Sequence, residues 1–378
     1  MGKQSSVVIA LIFCAAILAG ALSGLLLPDR FYSESERRTL TQAPRLTGER
    51  VLSGRFGRDV ESYLADQFPL RDQWIALKTL TELASGKRES GGVYFCDDGY
   101  LIEAFTRCDA AQYEANLAAL KAFSDGLTES GVDVRIMLVP GAAEILTDKL
   151  PALAPCADQS KLLESAAAAG LRLVDAAGAL REHRGEYIYY KTDHHYTSLG
   201  AYYCYAAWKQ SKGEAAAPLA EWTAEALCDD FRGTTYSKVN YPFAAYDVIT
   251  AYYREQNHIV NYNGGTYVAD SIYERKYLDG QDKYAVFLNS NQAVTVVTGK
   301  GEGNLLILKD SYANSFAQFV VDEYAQTHLL DLRFFNSSAA DYIAANDIAE
   351  VLVLYGLPSF VADTSIAKLV RDVTIEIE

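Results

Sequence analysis

Short apolar runs separated by helix-like stretches constrain this chain more than any other feature. Val134–Val139, Leu171–Asp175, Tyr187–Tyr190, Leu305–Leu308, Leu329–Phe335 and Val351–Leu354 each read as a strand. Between them lie stretches with helical spacing, such as Asp109–Glu129, where Tyr113, Leu117, Leu120 and Leu127 share one face. Lys161–Ala169, Ser198–Lys209 behind a Thr197 cap, Ala313–Val321 and Asp341–Ile348 are further helices. Alternation of this kind predicts an α/β fold, a parallel sheet with helices on both faces. Leu305–Leu308 is apolar at every position, as a strand covered on both sides must be. In such sheets ligands bind beyond the C-terminal strand ends. Residues 211 to 300 break the pattern. They are rich in Tyr, Asn, Gly and Thr, with short β-like runs at Val248–Tyr253, Tyr267–Val268 and Ala293–Val297, and they read as a β- and loop-rich insertion.

Val7 to Leu27 carries no charge and is long enough to cross a bilayer as a helix. Its length favours a retained anchor over a secretory leader, although Ala21-Leu-Ser23 resembles a cleavage site, and cleavage would leave the protein secreted. Lys3 and the amino terminus place the N-terminus in the cytoplasm and the remainder outside. The organisation expected is an anchor over residues 1–28, a polar stalk over 29–54 and one α/β domain over 55–378 that contains the insertion. Arg58–Ala84 reads as a helix broken at Pro69, and Gly91–Ile102 as a hairpin turning at Asp97-Asp98-Gly99.

The net charge is −15, from 34 basic and 49 acidic residues, and no basic stripe offsets it. Such a chain repels nucleic acid, so that class of partner is excluded. The 26 tyrosines are read mainly as strand formers with a wet edge, the alternative being a sugar-stacking surface. Of the six cysteines, Cys14 lies in the apolar run; the other five have irregular spacing and no C-x-x-C, which argues against a zinc site. Outside the cell, Cys96 and Cys108 are the most local disulfide candidates.

Ser311 is the candidate nucleophile. It stands where the strand Leu305–Leu308 gives way to a helix, and free N–H groups at a helix start can hold an oxyanion beside an attacking oxygen. A hydroxyl needs a base, and the base needs an orienter. Lys191-Thr-Asp193-His194-His195-Tyr196 supplies both: in an extended segment Asp193 and His195 point to one side and His194 to the other. Two other readings stand beside this one. The histidine pair is a metal motif, although adjacent histidines on opposite sides make poor co-ligands. The polar residues, Ser311 included, could simply cap the helices that follow. Ser315, one turn into the helix, is the fallback nucleophile. No cofactor is called for.

These residues resemble the DHHW family, named for its Asp-His-His-Trp motif and similar to the alginate O-acetyltransferase proteins with a GDSL/SGNH-hydrolase-like fold. The resemblance spans nearly the whole chain. It includes the anchor, Glu36-Arg-Arg-Thr-Leu, Asp66-Gln-Phe-Pro-Leu-Arg71, Gly92-Val-Tyr, Leu138-Val-Pro140, Asp193-His-His-Tyr, Phe287-Leu-Asn-Ser-Asn291 and Lys309-Asp-Ser-Tyr-Ala-Asn-Ser-Phe316. It implies an SGNH-like α/β domain in which Ser311 is the nucleophile, His195 the base and Asp193 the orienter. It also implies an asparagine amide as oxyanion donor, for which Asn291 is the candidate, with Tyr196 beside the substrate. The implied reaction moves an acetyl group to or from a cell-surface polysaccharide through an acyl-serine, as O-acetyltransferase or acetylesterase, with a multipass membrane acyltransferase supplying the acetyl. Tyr196 stands where the motif has Trp, and Lys309 where the wider superfamily has Gly. The competing class is a non-catalytic, membrane-anchored glycan-binding or assembly protein, motivated by the tyrosines between Tyr236 and Tyr284.

Overall fold

The computed structural model describes residues 3–33, 38–254 and 258–371. Two compact units divide the chain: Met1–Gly91 with Ser237–Pro242, and Gly92–Tyr236 with Phe243–Glu378.

The first unit is built from helices α1 (Lys3–Leu26), α2 (Arg55–Asp66) and α3 (Arg71–Ala84), with a shorter helix at Gly48–Leu52. The helix break expected at Pro69 lies between α2 and α3, where Leu70 adopts φ 57°. Asp66 and Gln67 give the preceding motif a physical role. Asp66 Oδ2 accepts from the Thr41 N–H at 2.8 Å, and the Gln67 amide bonds both Arg30 and Thr41 backbone. The polar segment read as a stalk is therefore tied at two points to the end of α2. Glu36 and Arg37 of the Glu36-Arg-Arg-Thr-Leu motif lie outside the described residues, while Arg38–Thr39 pairs antiparallel with Tyr32–Ser33. The described side chains of α1 are mostly exposed, Leu11, Ile12 and Phe13 among them. Ile9, Ala16, Ala19, Ala21 and Leu25 lie outside the described side chains, and among the described residues no helix is long and apolar enough to cross a membrane.

The second unit is organised on a seven-stranded sheet. Its strands are β1 (Asp133–Val139), β2 (Ile259–Tyr262), β3 (Tyr267–Ala269), β4 (Val294–Thr298), β5 (Asn304–Lys309), β6 (Gln326–Leu330) and β7 (Glu350–Gly356). Across the sheet the order is β3-β2-β4-β6-β5-β7-β1. The four strands β6, β5, β7 and β1 are parallel, and β4, β2 and β3 extend them antiparallel. The region read as a pure insertion thus contributes three strands to the main sheet, together with a separate hairpin of Thr223–Phe231 and Asp247–Tyr253.

Alternation along the parallel strands sends residues to two cores. Leu305, Ile307, Met137, Val139, Leu352 and Leu354 face one core, shared with Tyr196, Tyr205, Trp208 and Phe316. Leu306, Leu308, Val134, Ile136, Val351 and Val353 face the other, shared with Leu117, Leu120, Phe123 and Phe360. Helices therefore cover both faces, as the alternating pattern requires. They include α4 (Ala110–Glu129), α5 (Gln159–Ala168), α6 (Ala176–Glu182), α7 (Ser198–Ser211), α8 (Tyr312–Phe316) and α9 (Leu357–Ala362). Asp109 caps α4 through the Gln112 N–H, and Thr197 caps α7 through the Gly200 N–H.

Two expected strands are not strands of this sheet. Leu171–Asp175 contributes a single bridge, Leu173 to Ile136. Tyr187–Tyr190 turns back on itself so that Tyr189 pairs with Tyr196, and its apolar character serves burial of the tyrosine rings instead. None of the six cysteines is in a disulfide, including Cys96 and Cys108.

Candidate active site

The site begins where β5 ends. Asp310, fully buried, stitches β5 to its neighbour β7: Oδ1 accepts the Tyr312 N–H and Oδ2 the Gly356 N–H, both at 2.9 Å. Burial pushes its carboxyl above the usual carboxylate range, and the two N–H groups pull it back. Ser311 follows at the mouth of α8 with ordinary helical angles, φ −68° and ψ −15°. Its side chain makes no capping bond to the helix. Instead Ser311 Oγ lies 2.7 Å from His195 Nε2.

His195 is buried, and the rest of its surroundings fix it. Nδ1 is 2.5 Å from Asp193 Oδ1, and the same oxygen accepts the His195 backbone N–H at 3.0 Å. Asp193 Oδ2 accepts from the Thr234 N–H at 2.7 Å and the Thr234 hydroxyl at 3.1 Å. Gly233 packs so closely on this carboxylate that a Cβ there would collide with it. The Tyr284 ring lies flat on the imidazole, 4.0 Å between centroids and 10° between planes. Tyr284 Oη also bonds the Ser311 carbonyl at 3.2 Å. With Nδ1–H directed at a carboxylate, the far nitrogen is the acceptor for the serine proton.

The turn that carries Asp193 is held from below by Asp247. Its carboxylate accepts the Lys191 and Thr192 backbone N–H groups, each at 2.8 Å, the Thr192 hydroxyl at 2.6 Å and the Tyr187 hydroxyl. The segment is bent, not extended, because Asp193 folds back onto the His195 N–H. As a result His194 does not point to the opposite side. Its ring lies 3.9 Å from that of His195, and Nδ1 bonds the Thr234 hydroxyl at 2.5 Å. Donor atoms of Asp193, His194 and His195 lie within 4.8 Å of one another, a grouping that could hold a cation. Both nitrogens of His195 are already engaged, however, so a metal there would have to displace Asp193 or Ser311.

Beneath the serine turn lies Lys309, 1% exposed. Its Nζ donates to Asn314 Oδ1 at 2.8 Å, Asn291 Oδ1 at 3.0 Å and the Asp310 carbonyl at 3.4 Å. The structure thus brings Ser311, His195 and Asp193 into one line, while Asn291 joins the cluster through Lys309 and Asn314. Tyr196, expected beside the substrate, is corrected: it is fully buried and donates to the Tyr312 carbonyl at 2.8 Å, so it braces the nucleophile's helix. Ser315, the fallback nucleophile, is buried against Tyr284 Oη at 3.1 Å. Thr234, Asp247 and Tyr284 went unrecognised in the sequence. They lie in the Tyr- and Gly-rich region, where no local pattern marks a residue that reaches the site through the fold.

Residues 95–218 match the family model described as the SGNH hydrolase-like domain of the acetyltransferase AlgX. The fold is therefore SGNH hydrolase-like, and the family match is confined to these residues. Among solved structures it is similar to a DHHW family protein from Eubacterium siraeum DSM 15702, at 25% identity and a TM-score of 0.63, over 74% of this chain and 95% of that one. It is also similar in fold to PatB1 of Bacillus cereus, solved with a sulfonyl adduct, at 20% identity and a TM-score of 0.60, over 72% and 96% of the two chains. No curated protein matches. The expected DHHW resemblance and acetyltransferase-like domain class are therefore found, and the matched residues take in Asp193 and His195.

Proposed function

We propose that this chain is an O-acetyltransferase or acetylesterase that works outside the cytoplasm on a cell-surface polysaccharide. Ser311, His195 and Asp193 are its triad. The observation that carries the reading is the unbroken line of short hydrogen bonds from Ser311 Oγ to His195 and from His195 to Asp193. His195 Nε2 takes the Ser311 proton as Oγ bonds the acyl carbon, and it returns that proton to the departing oxygen of the donor. An acetyl-serine remains. A sugar hydroxyl then gives its proton to Nε2, attacks the acyl carbon and frees Ser311; water in its place makes the protein an esterase. The donor is supplied by a multipass membrane acyltransferase, and the apolar N-terminal segment holds the chain at the membrane.

The polymer assignment comes from the family resemblance; the buried tyrosines Tyr262 and Tyr284 serve the core and the triad, which weakens the glycan-binding alternative. The test is turnover of 4-nitrophenyl acetate, with labelling by a serine-directed sulfonyl fluoride. The proposal expects labelling at Ser311 and loss of both signals in Ser311→Ala. Turnover at the wild-type rate in Ser311→Ala would overturn it. Membrane fractionation checks the location: material released by alkaline carbonate would contradict the anchor.

A further inference from the structure

Lys309 is an unusual residue to find under a nucleophile. An ammonium without water around it is costly unless its donors are matched. Here they are: three N–H bonds meet three oxygens, from Asn314, Asn291 and the Asp310 backbone. An ammonium has no acceptor, so each amide must show it oxygen and turn nitrogen away. For Asn314 that nitrogen donates to the Ser290 carbonyl at 3.4 Å and to Asn291 Oδ1 at 3.5 Å, so the Asn291 oxygen is held by Asn314 as well as by Lys309. Asn291 sits at the end of a loop in which Leu288, Asn289 and Ser290 are all left-handed, with φ of 56°, 55° and 66°.

We propose that Lys309 is a positioning residue that holds the Asn291 amide with Nδ2 directed to the oxyanion formed at Ser311. This rests on the acyl-transfer reading above. The charged groups that face Lys309 are few. Asp331 Oδ2 lies 3.9 Å away, but both its oxygens are held by Arg333, at 2.8 and 2.5 Å. Asp310, the next residue in the chain, spends its carboxylate on Tyr312 and Gly356. The remaining contacts are neutral amides. Burial lowers Lys309 from 10.5 to about 8; Asp331 and Asp310 oppose the shift and Arg333 adds to it. Loss of the proton leaves two donors and a lone pair for three oxygens and removes the charge from each bond, so the hold on the three acceptors, Asn291 among them, weakens.

The experiment measures kcat for 4-nitrophenyl acetate from neutral to alkaline pH, corrected for the enzyme-free rate. It compares wild type, Lys309→Met, Asn291→Ala and the double variant. We expect wild-type kcat to fall with one proton as pH rises through about 8. Removal of an oxyanion donor costs on the order of 10²- to 10³-fold, so Asn291→Ala loses about that much, and its alkaline fall disappears. Lys309→Met loses part of the same factor, and the double variant is no worse than Asn291→Ala. A wild-type profile that stays flat through that pH, or losses that multiply in the double variant, overturns the inference. If Lys309→Met does not fold, the wild-type and Asn291→Ala profiles still decide. Triad-dependent turnover with a flat alkaline profile sinks this inference alone, whereas turnover that survives Ser311→Ala sinks the acyl-transfer reading beneath it.

Discussion

Replacement of Asp193 by Asn tests the site at the point where its geometry leaves least freedom. The carboxylate accepts on both sides. Toward His195 it takes a backbone N–H at 3.0 Å and Nδ1–H at 2.5 Å; toward Thr234 it takes a backbone N–H at 2.7 Å and a hydroxyl at 3.1 Å. An amide has one oxygen, so one backbone N–H must face an NH2 group in either orientation. Each orphaned N–H costs about 1–3 kcal/mol, which is the stability loss expected. Of the two backbone bonds the one from Thr234 is the shorter, 2.7 Å against 3.0 Å from His195, and the imidazole can change tautomer to meet an NH2 group, so the oxygen stays toward Thr234 and the NH2 turns to His195. Nδ1 must then accept, the proton moves to Nε2, and Nε2 can no longer take the serine proton. The wrong tautomer in a Ser-His-Asp site costs about 10⁴-fold in rate, equal to about 5 kcal/mol of barrier. The assay is kcat/KM for 4-nitrophenyl acetate, beside urea unfolding to confirm that the variant is folded. A folded Asp193→Asn protein within tenfold of wild type would refute the reasoning, because it would show that the carboxylate does not set the tautomer.

Three further outcomes follow. Ser311→Ala and His195→Ala should each remove nearly all turnover, and the double variant should lose no more than either single, since the pair acts as a unit; steady-state kinetics on the three proteins check this. Ile307→Ala, fully buried on β5 opposite Leu329 and Leu352, should lower unfolding stability by about 2–5 kcal/mol in a urea titration without change in substrate KM. Lys309 binds a proton less tightly when folded, about 8 against 10.5, so in that window the unfolded chain holds the extra proton and stability rises with pH. Lys309→Met should lack that rise, read as the wild-type minus variant difference in urea midpoints.

Much of this arrangement was legible from local pattern. The strand Leu305–Leu308 is apolar throughout because both cores need it, and the stop at Lys309-Asp-Ser marks the sheet's C-terminal edge. Asp193-x-His195 was legible because the two residues are bonded neighbours. Their mutual orientation was misread: the argument from an extended chain placed His194 opposite, whereas Asp193 folds back onto the His195 N–H and brings His194 alongside. Tyr187–Tyr190 has strand composition, yet its apolar rings are consumed in packing under the site and not in a ladder. The role of Tyr196 followed the same error, since an aromatic next to the histidines is as useful for bracing Tyr312 as for touching a sugar. Thr234, Asp247 and Tyr284 come from segments 27 or more residues away from the residues they support, and only the fold brings them there. Strands β3 and β4 were read as short β-like runs while β2 was not, and antiparallel addition to a parallel sheet leaves no mark in their own sequence.

The most direct measurement is rapid quench of the protein with a chromogenic acetyl ester, followed by peptide mapping of the intermediate. The account predicts one acetyl group per chain, on Ser311 Oγ, absent from Ser311→Ala and slow to form in His195→Ala. Acetyl turnover with no modified Ser311 peptide, or with the acetyl group on another residue, would contradict it.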